Sequence, residues 1–166
     1  MINPTRKLIR VTIAIAPEEL ATAILSKPER RTLPDGSVVL AAQGCRFRYR
    51  RPRPGVLVVS IAGHDRGQFG TATLDEISLA LKRERPVELF VDAREAVAAA
   101  VSVSDDWTRY FAANRGDFTR VHVLAGSKAV QLTVAIAQHL SRTGSLIQIY
   151  SDSAIFEQRL ASLRGG

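Results

Sequence analysis

Cysteine is almost absent from this 166-residue chain, which contains Cys45 and no other thiol. A single cysteine excludes an internal disulfide and a metal site built from cysteines. No apolar run approaches the roughly 20 residues that cross a bilayer. The first ten residues also lack the apolar core and the small-residue cleavage site of a signal peptide. We therefore expect a cytoplasmic protein in a reducing compartment, folded as one domain or as one domain with an extension.

Charge is distributed unevenly along the chain. The net charge is +7. Residues 1–54 contain eleven Lys and Arg against four Asp and Glu, whereas residues 55–166 contain twelve of each sign. The whole positive excess therefore lies in the first third, and this asymmetry predicts two parts. We expect a basic, strand-rich N-terminal extension over residues 1–54 and an α/β domain over residues 55–166.

The N-terminal part has the period-two pattern of β-strands. Apolar residues alternate with polar or small ones over residues 8–16, and a short helix follows to about Ser26. Strands are predicted over residues 38–42 and 45–51, joined by a tight connection at Gln43-Gly44, with a turn at residues 34–36 before them. In the return strand, aromatic residues occupy one face and arginines the other. Prolines at 52 and 54 mark the end of this part.

The second part alternates between strand and helix patterns in the order β-α-β-α-β-α-β-α. Such alternation indicates a mainly parallel sheet with right-handed crossovers. The predicted strands cover residues 56–62 (closed by Gly63), 89–92, 120–125 and 146–150. Ser127 is predicted to cap the third helix, with Ala129, Leu132, Thr133, Ile136 and Leu140 on its buried face. Ser151 or Asp152 is predicted to cap the last helix, with Phe156, Leu160 and Leu163 facing inward.

The stretch from Val87 to Asn114 carries the candidate site. A short apolar run predicts a strand covered on both faces, and this run stops at Asp92. After a small-residue connection, a helix is predicted to begin with a serine cap and acids in its first turn. The edge of an α/β sheet where such a strand ends is where binding sites form. The candidate site residues are Asp92, Ser102, Ser104, Asp105, Asp106 and Trp107.

Five segments resemble one known family: VLVVSIAG (56–63), LFVD (89–92), SVSDDWTRYF (102–111), RVHVLAGS (120–127) and IQIYSDSAIFEQRL (147–160). Together, residues 55–163 resemble a STAS domain, and more narrowly the SpoIIAA-like branch, which is often described as STAS/SEC14-like. The resemblance implies a non-enzymatic regulatory module similar to bacterial anti-sigma-factor antagonists. It implies a protein partner such as a regulatory kinase, a sigma-type regulator or a scaffold, and it is compatible with a homo-oligomer.

In that family, a partner kinase phosphorylates a serine at a helix start after the strand that ends in aspartate. The usual Asp-Ser-Ser-Gly pattern is absent here, and Ser102 and Ser104 lie ten and twelve residues after Asp92. A helix N-terminus favours a phosphate, whereas Asp105 and Asp106 would repel one. A helix cap is the simpler explanation for Ser104, because a cap alone contributes about 1 kcal/mol.

Catalytic and metal-binding constellations are not apparent. The His64-Asp65 loop contains nearby glycines, but their spacing matches no nucleotide-binding pattern, so turn glycines explain them better. His122 and His139 have no partner at a metal-ligand spacing, which favours structural roles. We expect no cofactor, no metal and no catalytic residue.

The arginine-rich strand FRYRRPR mixes arginine with aromatic residues, as nucleic-acid or acidic-membrane surfaces do. The basic surface consists of Arg46, Arg48, Arg50, Arg51 and Arg53. A simpler explanation is an edge strand that charge keeps unpaired and soluble. Docking of an acidic protein is a further alternative.

Three hypotheses follow from the sequence. The first is a protein-interaction module that uses residues 92–111. The second is a binding module for a small apolar or lipid ligand, which predicts an enclosed apolar cavity. The third, which is less favoured, is a nucleic-acid-associated protein that binds through residues 1–54. An enzyme ranks below all three.

Overall fold

The computed structural model describes residues 27–163, which form seven strands and four α-helices. The strands are β1 (Glu29–Thr32), β2 (Val38–Ala42), β3 (Cys45–Arg53), β4 (Val56–Asp65), β5 (Val87–Ala99), β6 (Phe118–Ala125) and β7 (Ile147–Tyr150). The helices are α1 (Ala72–Arg83), α2 (Val101–Asn114), α3 (Lys128–Leu140) and α4 (Ser153–Ser162). The strand predicted over residues 8–16 and the helix after it lie outside the described residues.

All seven strands form one sheet in chain order. Pairing is antiparallel from β1 to β4 and parallel from β4 to β7, with α1, α2 and α3 as the crossovers. The predicted α/β fold with β-α alternation is confirmed. The structure also answers a question left open by the sequence, because the strands of residues 29–53 extend the same sheet. The division into two domains at residue 54 stays a prediction.

Each face of the sheet has its own core because strand side chains alternate between the faces. On one face, α1, α2 and α3 pack through residues such as Ile77, Phe111 and Val134 against the sheet. On the other face, Phe156 and Leu160 of α4 pack on the sheet. Within residues 27–163, no helix is long and apolar enough to cross a membrane.

Strand β4 does not close at Gly63, as the sequence predicts, but continues to Asp65. At Gly63 the strand passes the β2–β3 turn so closely that a Cβ atom would lie 2.0 Å from the carbonyl oxygen of Gly44. Glycine is therefore required for close pairing with Cys45, its partner in β3, rather than for strand termination. The sequence predicts a glycine-containing loop from His64, but in the structure the loop begins only after Asp65.

Strand β5 also continues beyond its predicted end at Asp92, to Ala99. The added segment pairs with the end of β4, where Asp65 lies opposite Ala99, after two register shifts. Alanine is a poor strand former, so the local sequence favours a connection here. Pairing with the backbone groups of β4 overrides that preference.

The predicted buried face of α3 is wrong for four of its five residues, because only Thr133 is half-buried. Leu132, Ile136 and Leu140 are 62%, 51% and 61% exposed. Val130, Val134 and Ala137 face the interior instead. Both faces of this helix are apolar, so the helical period does not identify the buried one. The predicted cap of α3 is confirmed, because the Ser127 side chain accepts a hydrogen bond from the Val130 amide. Of the two predicted caps of α4, Asp152 is the one observed, and its side chain accepts a hydrogen bond from the Ala154 amide.

Candidate functional site

An apolar cavity of about 190 Å³ lies between the sheet and helices α2 and α3. Alanines on the sheet and on the helices leave this space open, among them Ala93 and Ala96 of β5 and Ala137 of α3. An engineered cavity of about 150 Å³ is large enough to bind benzene. The cavity therefore has room for a compact apolar group of a little more than one ring.

One wall of the cavity is aromatic. Trp107 and Phe111 of α2 lie one helical turn apart with ring centroids 5.8 Å from each other, and Phe47 of β3 lies 6.4 Å from Trp107. Spacings of four and three residues in the sequence predict that Trp107, Phe111 and Asn114 share one helical face. In the structure Phe111 is buried and the other two are half-buried, which confirms this face. Because the sequence contains one tryptophan, this ring can report on the cavity by fluorescence.

The cavity reaches solvent at the end of β5. Val97, Ala98 and Ala99 line it and are exposed, with Val97 at 66%. Ala129, at the first turn of α3, is exposed on the same lining. A ligand can therefore enter without the sheet having to open. The β5 extension, which the sequence did not predict, forms this rim.

Polar side chains are few in the lining. Ser104, Thr133 and Asp65 are the polar members among the described residues. The Thr133 hydroxyl already donates to the Ala129 carbonyl at 3.0 Å. Asp65 is 5% exposed and accepts a 2.9 Å hydrogen bond from the Gly67 amide. Burial raises the pKa of Asp65, although the Gly67 hydrogen bond and nearby His64 oppose the change.

Of the six predicted site residues, the structure brings only Ser104 and Trp107 to the cavity. Asp92 lies on the α4 face of the sheet, where it pairs with Arg94 at 2.6 Å. Arg94 also pairs with Glu157 of α4 at 3.0 Å, so this cluster fixes α4 to the sheet. These bonds raise the pKa of Arg94, the hydrogen bond to Asp92 being the largest cause. Asp92 therefore has a structural role on the face opposite to the cavity.

Neither serine caps α2, contrary to the expectation for Ser104. The cap position is Ala100, which makes no side-chain cap bond, and the first turn contains no acid. Ser104 lies inside the helix and lines the cavity, while Ser102 is exposed. Asp105 and Asp106 are exposed in the following turn. Phosphorylation of either serine stays a prediction.

The basic strand β3 is not an edge strand, because β1 and β2 pair outside it. Its aromatic residues Phe47 and Tyr49 are buried on the cavity face, so they cannot stack with bases there. Three of its five arginines contact other parts of the chain: Arg48 pairs with Asp35 at 2.6 Å, Arg51 pairs with Glu84 at 2.8 Å, and Arg53 donates to the Leu163 carbonyl. Within residues 27–163, no ion pair is found for Arg46 or Arg50.

A buried polar network on the α4 face was not predicted. His122, 1% exposed, lies 2.8 Å from Glu88 through Nε2 and 2.8 Å from the Tyr150 hydroxyl through Nδ1. Arg159 of α4 donates to the same Glu88 oxygen at 2.8 Å. The sequence signal for this network was limited to Glu88 and His122, two polar residues next to apolar ones in predicted strands. The parallel pairing of β5 with β6 brings these two side chains together. No group of His, Cys, Asp and Glu within residues 27–163 is arranged to hold a metal ion.

Burial lowers the pKa of His122, although Glu88 opposes the change. Burial also disfavours a charged Glu88, but hydrogen bonds from His122 and Arg159 outweigh it and lower the pKa of that carboxyl. The pair is thus a neutral imidazole beside a carboxylate. His122 Nε2–H donates to Glu88, and Nδ1 accepts from the hydroxyl of Tyr150.

One solved structure is similar to this chain in fold. It is an uncharacterized protein of the DUF3478 family with a SpoIIAA-like fold, from Shewanella loihica PV-4. The match has a TM-score of 0.50 and 14% sequence identity, and it covers 72% of this chain and 96% of the other. The fold is SpoIIAA-like. No protein-family model and no curated protein matches the chain.

The SpoIIAA-like fold confirms the STAS-type resemblance of residues 55–163. At 14% identity the likeness is one of fold alone. Fold does not determine function, so the function of this chain depends on its own cavity and surfaces.

Proposed function

We propose that this SpoIIAA-like protein is a binding module that holds a small apolar ligand in the cavity between β5, α2 and α3. The observation that supports the proposal is the 190 Å³ apolar space with an exposed rim at the end of β5. An apolar group that leaves water for such a space gains about 25 cal/mol for each Å² buried. The sequence analysis included a binding module for a small apolar or lipid ligand as its second hypothesis. Of the three hypotheses, this is the one that predicts an apolar cavity.

Replacing Ala137 by phenylalanine tests the proposal, because the new ring would fill the space from the α3 side. We expect 1-hexanol to change Trp107 fluorescence in the unmodified protein, with at least about tenfold weaker binding in Ala137→Phe. Overpacking should lower stability by about 1–3 kcal/mol, so folding of the variant is checked by thermal unfolding.

The matched control is Ala135→Phe, on the exposed side of the same helix. It should bind 1-hexanol within about twofold of the unmodified protein. Equal binding by both variants, or no fluorescence change in the unmodified protein, would refute the cavity as a ligand site.

A second candidate function is protein interaction through α3. Leu132, Ile136 and Leu140 form an exposed apolar row one turn apart, and apolar rows of this kind typically bind the apolar face of a partner helix. We propose a partner protein that contributes such a face. The predicted surface over residues 92–111 stays a prediction, although residues 92–99 are strand and not a presented loop.

The test compares Ile136→Glu with the unmodified protein and Ala137→Phe in parallel affinity purifications. A charge in the centre of the apolar row should weaken the free energy of partner binding by about 2 kcal/mol or more. A partner that is lost from Ile136→Glu and retained by Ala137→Phe would support this candidate. A partner that all three proteins retain would exclude the α3 row as its binding surface.

A further inference from the structure

We propose that the cavity ligand carries an amine or quaternary ammonium group on its apolar body, and that Asp65 binds this positive charge. The inference rests on the proposed function and specifies the chemical class of the ligand. It comes from the composition of the lining, in which Asp65 is the single charged side chain among the described residues.

Asp65 is held in place at the end of β4 by its backbone and side chain together. Its carbonyl accepts from the Ala100 amide at 2.8 Å, which ties it to the start of α2. Its carboxylate accepts from the Gly67 amide at 2.9 Å. No ion pair to Asp65 is found within residues 27–163. Asp65 therefore lines the apolar cavity without an ion-pair partner from this part of the chain.

A carboxylate in this position favours one charge type over the other. Removing a carboxylate from water is costly unless a hydrogen-bonded cation compensates it, and the raised pKa of Asp65 reflects this cost. An ammonium group on the ligand would supply that compensation. A fatty carboxylate would place a like charge in the same poorly solvated space, where repulsion is strong.

The aromatic wall favours the same ligand class. The faces of Trp, Tyr and Phe rings attract cations, and alkylammonium groups are recognised in this way. Trp107, Phe111 and Phe47 lie on the lining with Asp65. Aromatic rings and one carboxylate around an apolar space together match an alkylammonium end and a short hydrocarbon body.

Three probes of equal chain length test the inference: hexylamine, 1-hexanol and hexanoate, titrated at pH 7 with Trp107 fluorescence as the readout. We expect hexylamine to bind at least about tenfold more tightly than 1-hexanol, and hexanoate to bind more weakly than either. In Asp65→Asn, which keeps an acceptor for the Gly67 amide, the affinity for hexylamine should fall about tenfold more than the affinity for 1-hexanol.

Hexanoate binding as tightly as hexylamine, or equal hexylamine binding by Asp65→Asn, would overturn the inference but leave the proposed function standing if 1-hexanol binds. Failure of all three probes would overturn both. The ranking of the probes on the unmodified protein does not depend on how the variant folds. Loss of the hexylamine signal in Ala137→Phe, but not in Ala135→Phe, places the binding in the cavity.

Discussion

Replacing Gly63 by alanine is expected to lower the free energy of unfolding by about 4 kcal/mol or more. The added Cβ atom would lie 2.0 Å from the Gly44 carbonyl oxygen and 3.0 Å from the Cys45 Cα atom. Both are backbone atoms of the β2–β3 turn and of strand β3, so no side-chain rotation can relieve the contact. The backbone at Gly63 also has φ +91°, a region that alanine rarely adopts. We expect β3 and β4 to separate locally.

Chemical denaturation of Gly63→Ala and Gly36→Ala in parallel distinguishes the clash from the backbone strain. Gly36 has φ +79°, but a Cβ atom there would meet nothing within 4 Å. Replacing Gly36 by alanine should therefore lower the free energy of unfolding only by the backbone strain, about 1 kcal/mol. Similar losses for the two variants would contradict the close contact between β4 and the β2–β3 turn.

Lowering the pH from 7 to 5.5 is expected to destabilise the protein through His122. Burial lowers the pKa of this imidazole, so below about 6.5 the unfolded chain binds a proton that the folded protein does not. Stability then falls with decreasing pH, at most by about 1.4 kcal/mol for each pH unit. The groups that face His122 are Glu88, Tyr150 and Arg159, and Arg120 acts on it at longer range.

Urea denaturation at several pH values measures this dependence. We expect His122→Gln to lower stability at pH 7 and to flatten the slope between pH 7 and 5.5. His139→Gln, at the exposed end of α3, should leave the slope unchanged. Glu88, whose pKa is lowered, contributes a separate loss that begins only below about pH 4.5. A slope that is the same in His122→Gln as in the unmodified protein would contradict the assignment.

The candidate site was predicted in part. The helix of residues 102–114 and the inward position of Trp107 follow from spacing alone, and both contribute to the cavity. Asp92 was assigned to the site because an apolar run stops there. The strand continues past it, and Asp92 lies on the face opposite to the cavity. Asp65 was treated as part of a glycine-containing loop, because nothing local indicates that a strand carries it into an apolar lining.

The sequence by itself determined the order of strands and helices from β2 onwards, the cap at Ser127 and the turns at residues 34–36 and 43–44, but it did not predict strand β1 and it left Ser151 and Asp152 as alternative caps of the last helix. These features depend on contacts between residues close together in the chain, so period and capping residues encode them. Tertiary structure decided the length of β4 and β5, the buried face of α3 and the pairing of Glu88 with His122. Each of these depends on which strand or helix lies alongside. Backbone pairing and burial then outweigh the weaker local preferences of alanine-rich and uniformly apolar segments.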